Sequence, residues 1–220
     1  MTEKHRNSNH VEAALLWGWL TARSIARGLP LPVADRGGMR VDTGLPNETR
    51  RHVFAGPVPG IRELAVSIDV PTIPIKMCCP GEQLLALVPS GWQLQPASYL
   101  MIHDGSFDDT PVAPVGYRIE VVVGRPANAV RIWTDDGFLA ASGYVVEHGG
   151  FCVFDRIAVD GAHRRRGLGR ALMAALGATQ TSSASRRVLV ATEAGRALYL
   201  TLDWTVCAPY STVLMAAGDM

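Results

Sequence analysis

With 220 residues, 48% of them hydrophobic, and a net charge of +1, the chain can bury a sizeable core in one large domain or two small ones. It has no run of about 18 apolar residues to span a bilayer and no basic, apolar leader, so the expectation is a cytoplasmic protein without a membrane partner. The near-zero charge balance also argues against the face-wide basic surface of a nucleic-acid binder, although Arg164, Arg165, Arg166 and Arg170 crowd into seven positions.

Residues 1 to about 10 are polar and expected to fray. From Val11 to Leu29, apolar residues recur at three- and four-residue steps and predict a helix closed by Gly28 and Pro30. Trp17 and Trp19 cannot share one narrow stripe, so one of them covers a neighbouring element or lines a pocket. Short strands are expected at Met39–Val41 and His52–Phe54, a short helix over 61–70, an edge strand at Ile73–Met77 and a helix over 82–87. Prolines at 71, 74, 80 and 89 forbid longer elements there. Tyr99–Ile102 reads as a strand, and 103–109 as a turn or linker.

The second half is more regular. Strands are expected at 117–123, 129–133, 138–146 and 151–159, joined by the turn signals Asp135-Asp136-Gly137 and His148-Gly149-Gly150, which makes an antiparallel meander. A helix follows from Leu168 to Gly177, then a buried strand at Val188–Ala191, a helix over 193–202, and strands at 204–208 and 211–216. The cysteines, Cys78, Cys79, Cys152 and Cys207, lack zinc-site spacing; they read as reduced thiols, and no metal is expected.

The stretch Ile157-Ala158-Val159, running through His163-Arg164-Arg165-Arg166-Gly167-Leu168-Gly169-Arg170 into the helix, is a strand, a basic glycine-bearing turn and a helix N-terminus. Unpaired N–H groups and the helix dipole attract an anion there, by about 0.3–1 kcal/mol from the dipole alone. A dinucleotide fingerprint fails because its third small residue would be Leu172, and a P-loop fails because no Gly-Lys-Ser/Thr follows. A solvated basic surface or an RNA-contacting patch would explain the charge but not the glycines.

These residues resemble a motif of the GNAT superfamily of acyl-CoA-dependent N-acetyltransferases: Arg164, Gly167 and Gly169 fill its arginine and glycine places at a strand-to-helix turn. A second family pattern is matched by Gly195-Arg196-Ala197-Leu198-Tyr199-Leu200-Thr201-Leu202-Asp203-Trp204, with Asp203 where glycine is usual; aspartate tolerates a left-handed backbone. The resemblance covers about residues 115–216. It implies an α/β fold with a mixed sheet, as a catalytic, acetyl-CoA-binding domain over 113–220. Residues 1–112 would form a mixed α/β region walling the substrate pocket, either an extension that supplies the family's missing helices or a degenerate second copy of the fold.

The resemblance further implies that acetyl-CoA (coenzyme A) is the cofactor, with its phosphates against Arg164, Arg165, Arg166, Gly167, Leu168, Gly169 and Arg170. Backbone groups of Ile157 and Val159 would pair with the pantetheine arm and polarise the acetyl carbonyl. Thr192 stands where many members carry an asparagine that helps hold the cofactor, a departure that leaves it a candidate contact. Tyr199 matches the general acid, and Asp155 is a candidate base, with Glu147 and His148 nearby; Asp155 could equally pair with an arginine. His163 is expected to face solvent near the phosphates. The implied activity is direct transfer to a primary amine of a small molecule or amino-acid-like acceptor. A non-catalytic acyl-CoA-binding module and an enzyme acting on a protein amine are the alternatives, and a homodimer is left open.

Overall fold

The computed structural model describes residues 11–105 and 110–216. The polar start over 1–10 and part of the turn expected at 103–109 lie outside the described residues. Helix α1 (Ala13–Ala26) is followed by β1 (Val33–Asp35), β2 (Gly38–Val41), β3 (Arg51–Phe54), α2 (Ile61–Val66), β4 (Ile75–Met77), α3 (Gly81–Leu87) and β5 (Trp92–Leu94). Then come β6 (Ser98–His103), β7 (Tyr117–Val122), β8 (Asn128–Thr134), β9 (Leu139–His148), β10 (Phe151–Val159), α4 (Leu168–Gly177), β11 (Arg186–Thr192), α5 (Glu193–Leu200), β12 (Thr205–Pro209) and β13 (Ser211–Met215).

The strands form two mixed sheets, in the orders β1-β2-β3-β4-β13-β5 and β7-β8-β9-β10-β11-β6-β12. From β8 onward the second sheet repeats the first. A hairpin and a third antiparallel strand lead through a helix to a parallel neighbour, α2 joining β3 to β4 and α4 joining β10 to β11. A second helix then leads to the edge strand, α3 to β5 and α5 to β12. The slot before that edge is filled reciprocally: β6, which follows β5, sits in the second sheet, and β13, which follows β12, sits in the first. Each half thus lends its last strand to the other. The N-terminal sheet thus repeats the strand order of the C-terminal one, and α1 packs against the C-terminal sheet.

Local chemistry explains the elements. The β9–β10 hairpin turns on Gly149 and Gly150, both at positive φ (57° and 81°), the two-residue turn whose twist suits paired strands. Asp203 takes φ 60°, so the left-handed turn survives without glycine. Ile73–Met77 is not an edge strand: β4 lies between β3 and β13, and the ladder starts at Ile75, leaving Pro74 outside it to accept a hydrogen bond from His52 N on its carbonyl. The helix expected over 61–70 stops at Val66, where Ser67 Oγ bonds back to the Leu64 carbonyl. All four cysteines are free; burial raises the thiol pKa of Cys78 and Cys152 to about 12 and of Cys79 to about 11. No helix of the described residues is long and apolar enough to cross a membrane.

Apolar cores lie on both faces of the second sheet. Leu168, Leu172 and Leu176 of α4 pack with Tyr199 and Trp204 on one face. Leu15, Leu16, Trp19 and Leu20 of α1 pack with Val146, Val153 and Val188 on the other. Helix α1 comes close enough that a Cβ at Gly18 would fall 2.0 Å from Phe151 Cε2. Alanine would favour the isolated helix by about 1 kcal/mol, but overpacking costs about 1–3 kcal/mol. Gly18→Ala is therefore expected to lower stability by about 1 kcal/mol in chemical denaturation; a gain would show that α1 does not ride on this ring.

Candidate active site

Strands β10 and β11 pair in parallel only from Phe151–Val153 against Arg186–Val188. Beyond that point β10 stays on β9 but takes in an extra residue between Asp155 and Ala158, where Arg156 has φ 53°. The bulge bends β10 away, while β11 remains on β6 as far as Thr192. The two strands therefore diverge, and their facing backbone groups, from Asp155 to Val159 and from Leu189 to Thr192, have no strand partner across the gap. A cavity of about 300 Å³ lies at this divergence, lined by Phe154 to Ile157 and by Leu189 to Thr192. It reaches Tyr199 on the α5 side, and Trp19, Arg23, Arg27 and Tyr210 on the α1 side.

At the end of β10, Asp160 accepts a hydrogen bond from Ala162 N and starts a single 3-10 turn, Gly161–His163. The loop then passes through Arg165 (φ 61°) to Gly167 (φ 79°), the N-cap of α4. A side chain is disfavoured at that φ, and none caps the helix, so the first-turn N–H groups at Leu168 and Gly169 have no side-chain acceptor at the helix N-terminus. Arg164, Arg165 and Arg166 are exposed around it. Gly169 has a different reason to be glycine: its Cβ would lie 2.6 Å from Leu198 Cδ2, so the missing side chain lets α4 approach α5. Arg170 Nη2 donates to the Thr201 carbonyl at 3.1 Å and ties the same two helices.

His163 does not simply face solvent. Its ring stacks on Phe138 at 5.3 Å and its Nδ1 lies 2.9 Å from Tyr117 Oη, which also accepts from Arg166 Nη1 at 3.2 Å. This cluster holds the basic loop against β7 and the β8–β9 turn.

Tyr199 is buried beside Trp204, and burial pushes its hydroxyl up to about 12, so it keeps its proton at neutral pH. Thr192 borders the cavity while its hydroxyl caps α5, accepting from Gly195 N at 3.2 Å. Asp155 is also in the wall, but Arg27 donates to both its oxygens, at 2.6 and 2.8 Å, with Arg156 at 3.5 Å and Arg23 at 3.7 Å. Burial alone would raise its carboxyl; the Arg27 hydrogen bonds and the three guanidinium charges outweigh that and hold it below the usual range. Glu147 and His148 lie at the opposite end of β10, where Glu147 is spent on Thr181 and Ser182.

Among the wall residues that the sequence did not single out are the polar side chains of Arg23, Arg27, Arg51, Lys76 and Tyr210. One signal was available, since Trp19, Arg23 and Arg27 recur every fourth position and so share a face of α1. Of the two tryptophans, Trp19 lines the cavity and Trp17 is 40% exposed.

Residues 124–206 match the family model described as the acetyltransferase (GNAT) domain. No curated protein matches the sequence. Among solved structures, the chain is similar to a GCN5-related N-acetyltransferase from Kribbella flavida, with 16% identity and a TM-score of 0.66 over 96% of this chain and 98% of that one. A putative GNAT-family acetyltransferase from Novosphingobium aromaticivorans is likewise similar, with 16% identity and a TM-score of 0.57 over 95% and 100%. A tandem GNAT protein from the clavulanic acid biosynthesis pathway covers 72% of this chain and 68% of its own at 15% identity and a TM-score of 0.50. The likeness to the first two spans both halves, so the paired sheets belong to a known GNAT architecture. Residues 124–206 thus carry the family's acetyltransferase (GNAT) domain, within a chain whose fold as a whole is that of GNAT structures.

Proposed function

We propose that the protein transfers an acetyl group from acetyl-CoA to the primary amine of a small, amino-acid-like molecule, both being bound at once. The observation that carries this reading is the cavity in the β10–β11 gap, open to Tyr199 from one face of the sheet and to α1 from the other. When bound, acetyl-CoA supplies the acetyl thioester. The residues fit it: the uncapped α4 N-terminus at Gly167–Gly169, with Arg164, Arg165, Arg166 and Arg170 nearby, suits its phosphates. The unpaired backbone edge at Ile157 and Val159 suits its amide-bearing arm, and N–H groups there stabilise charge developing on an acyl oxygen. Tyr199, protonated and at the cavity wall, donates a proton to the departing thiolate. Asp155, already neutralised by guanidinium groups, is a weak proton acceptor and serves to hold Arg23 and Arg27 in the wall.

Purified protein should release free thiol from acetyl-CoA only when an amine is supplied. Gly167→Ala forces a side chain into a left-handed position at about 1–2 kcal/mol, and should raise the KM for acetyl-CoA roughly tenfold with little change in the acceptor KM. Tight acetyl-CoA binding without thiol release for any amine would leave a binding module in place of an enzyme.

A further inference from the structure

The acceptor side of the cavity is strongly cationic. Arg23 and Arg27 reach it from α1, Arg51 from β3, Lys76 from β4 and Arg156 from the bulge of β10. Two carboxylates answer these five cations: Asp155 pairs with Arg23, Arg27 and Arg156, and Glu48 pairs with Arg51 and with Lys76 at 3.6 Å. Positive charge is therefore in surplus in a place where it is poorly hydrated. Burial lowers the pKa of both Arg23 and Lys76, meaning their charged forms are short of solvation.

Two polar atoms add a direct pointer to a ligand. Arg51 is 4% exposed, yet its Nε has no hydrogen-bond partner among the described residues, and the buried Tyr210 hydroxyl has none either. Both residues line the cavity. A buried unpaired donor bears an uncompensated desolvation penalty, heavier when the group is charged, so an arrangement like this points to a ligand that supplies the missing acceptor.

Resting on the acetyltransferase reading above, we infer that the acceptor is a small amine bearing one or more carboxylates, which Arg51, Lys76 and Arg23 hold while its nitrogen points to the β10–β11 gap. Arg51 and Lys76, on the neighbouring strands β3 and β4, converge on one carboxylate as they do on Glu48, while Arg23 stands on a separate element, α1. The cavity, about 300 Å³, suits a molecule of amino-acid size. A polyamine would add charge of the same sign and is rejected. In the transfer, the neutral acceptor nitrogen bonds to the acetyl carbon as the carbon–sulfur bond breaks. Sulfur leaves with the electron pair and takes a proton from Tyr199, which is restored from solvent as the nitrogen gives up one of its own.

The test uses the full chain with acetyl-CoA and a panel of L-glutamate, glycine, ethanolamine, putrescine and phosphoethanolamine, scored by kcat/KM. Glutamate should exceed ethanolamine and putrescine at least tenfold. Arg51→Met and Lys76→Met should each raise the glutamate KM about 10- to 100-fold with acetyl-CoA affinity unchanged. Preference for ethanolamine or putrescine overturns the inference, and a lead for phosphoethanolamine over both amino acids overturns the carboxylate assignment. If Arg51→Met fails to fold for want of a partner for Glu48, Lys76→Met, which keeps the Arg51–Glu48 pair, decides. Glutarate, a diacid without an amine, gives a readout independent of transfer. It should raise the melting temperature of the wild type and not of Lys76→Met. A glutarate shift with no thiol release for any amine keeps the anion site and sinks the transferase reading; thiol release with neutral amines and no glutarate shift does the reverse.

Discussion

Exchange of Tyr199 for phenylalanine is expected to lower kcat by about 10²- to 10⁴-fold, the usual contribution of a positioned general acid. The substitution keeps the ring, its contact with Trp204, and the close fit of Cε2 under Gly195, where a Cβ would lie 3.2 Å away. Only the hydroxyl is lost, and it has no assigned role in cofactor affinity. The acetyl-CoA dissociation constant should therefore change by less than about twofold, and the melting temperature should barely move. Because burial raises the hydroxyl to about 12, the wild-type group is protonated at every pH from 6 to 9, and no ionisation of Tyr199 should appear in that part of the pH–rate profile. Single-turnover thiol release is the direct measurement. A kcat within threefold of wild type would remove Tyr199 from proton transfer and make it a packed wall residue.

The parts of this site that were legible in the sequence are those encoded over a few residues. Gly167 was readable because a left-handed N-cap demands it, and the pair Gly149-Gly150 because a two-residue hairpin turn does. Tyr199 lay in a recognisable local pattern, and Asp203 could be judged compatible with the turn it makes. Strands β1 and β5 escaped notice because each is a three-residue stretch hemmed by turn formers, Pro30 and Pro32 before β1 and Gly91 and Pro96 around β5. The convergence of charge was illegible for another reason. Arg27 and Asp155 are 128 positions apart, and nothing local shows that α1 crosses the C-terminal sheet at the bulge. Nor could periodicity show that β6 and β13 trade places, which carries Tyr210 across from one sheet to the other and into the cavity wall. The N-terminal half is part of the cavity wall: the uncapped helix N-terminus belongs to α4, while most of the cationic wall belongs to α1, β3 and β4.

Asp155→Asn should be the most destabilising polar substitution at this seam. The amide keeps the shape and one acceptor oxygen, but it removes the charge that faces Arg23, Arg27 and Arg156. Arg23 is already disfavoured as a cation by burial and by its neighbour Arg27, so without Asp155 two guanidinium groups repel each other inside the wall. Breaking a buried ion cluster by removing one partner costs about 3–5 kcal/mol. Taking the lower end, because Asn still accepts a hydrogen bond, about 3 kcal/mol corresponds to a melting temperature lower by about 6–12 °C for a chain of this size. The pH dependence follows from the direction of the shift. The folded carboxyl is held below its unfolded value of about 3.9, so its stabilisation is fully present above that pH and is lost as pH falls through the folded value. The stability gap between wild type and variant should accordingly stay constant from pH 5 to 8 and close below about pH 4. A general base at this position would behave differently. The variant would then keep its melting temperature while the acidic limb of its pH–rate profile disappeared, and Asp155 would belong to the chemistry instead of to the wall that gathers the arginines.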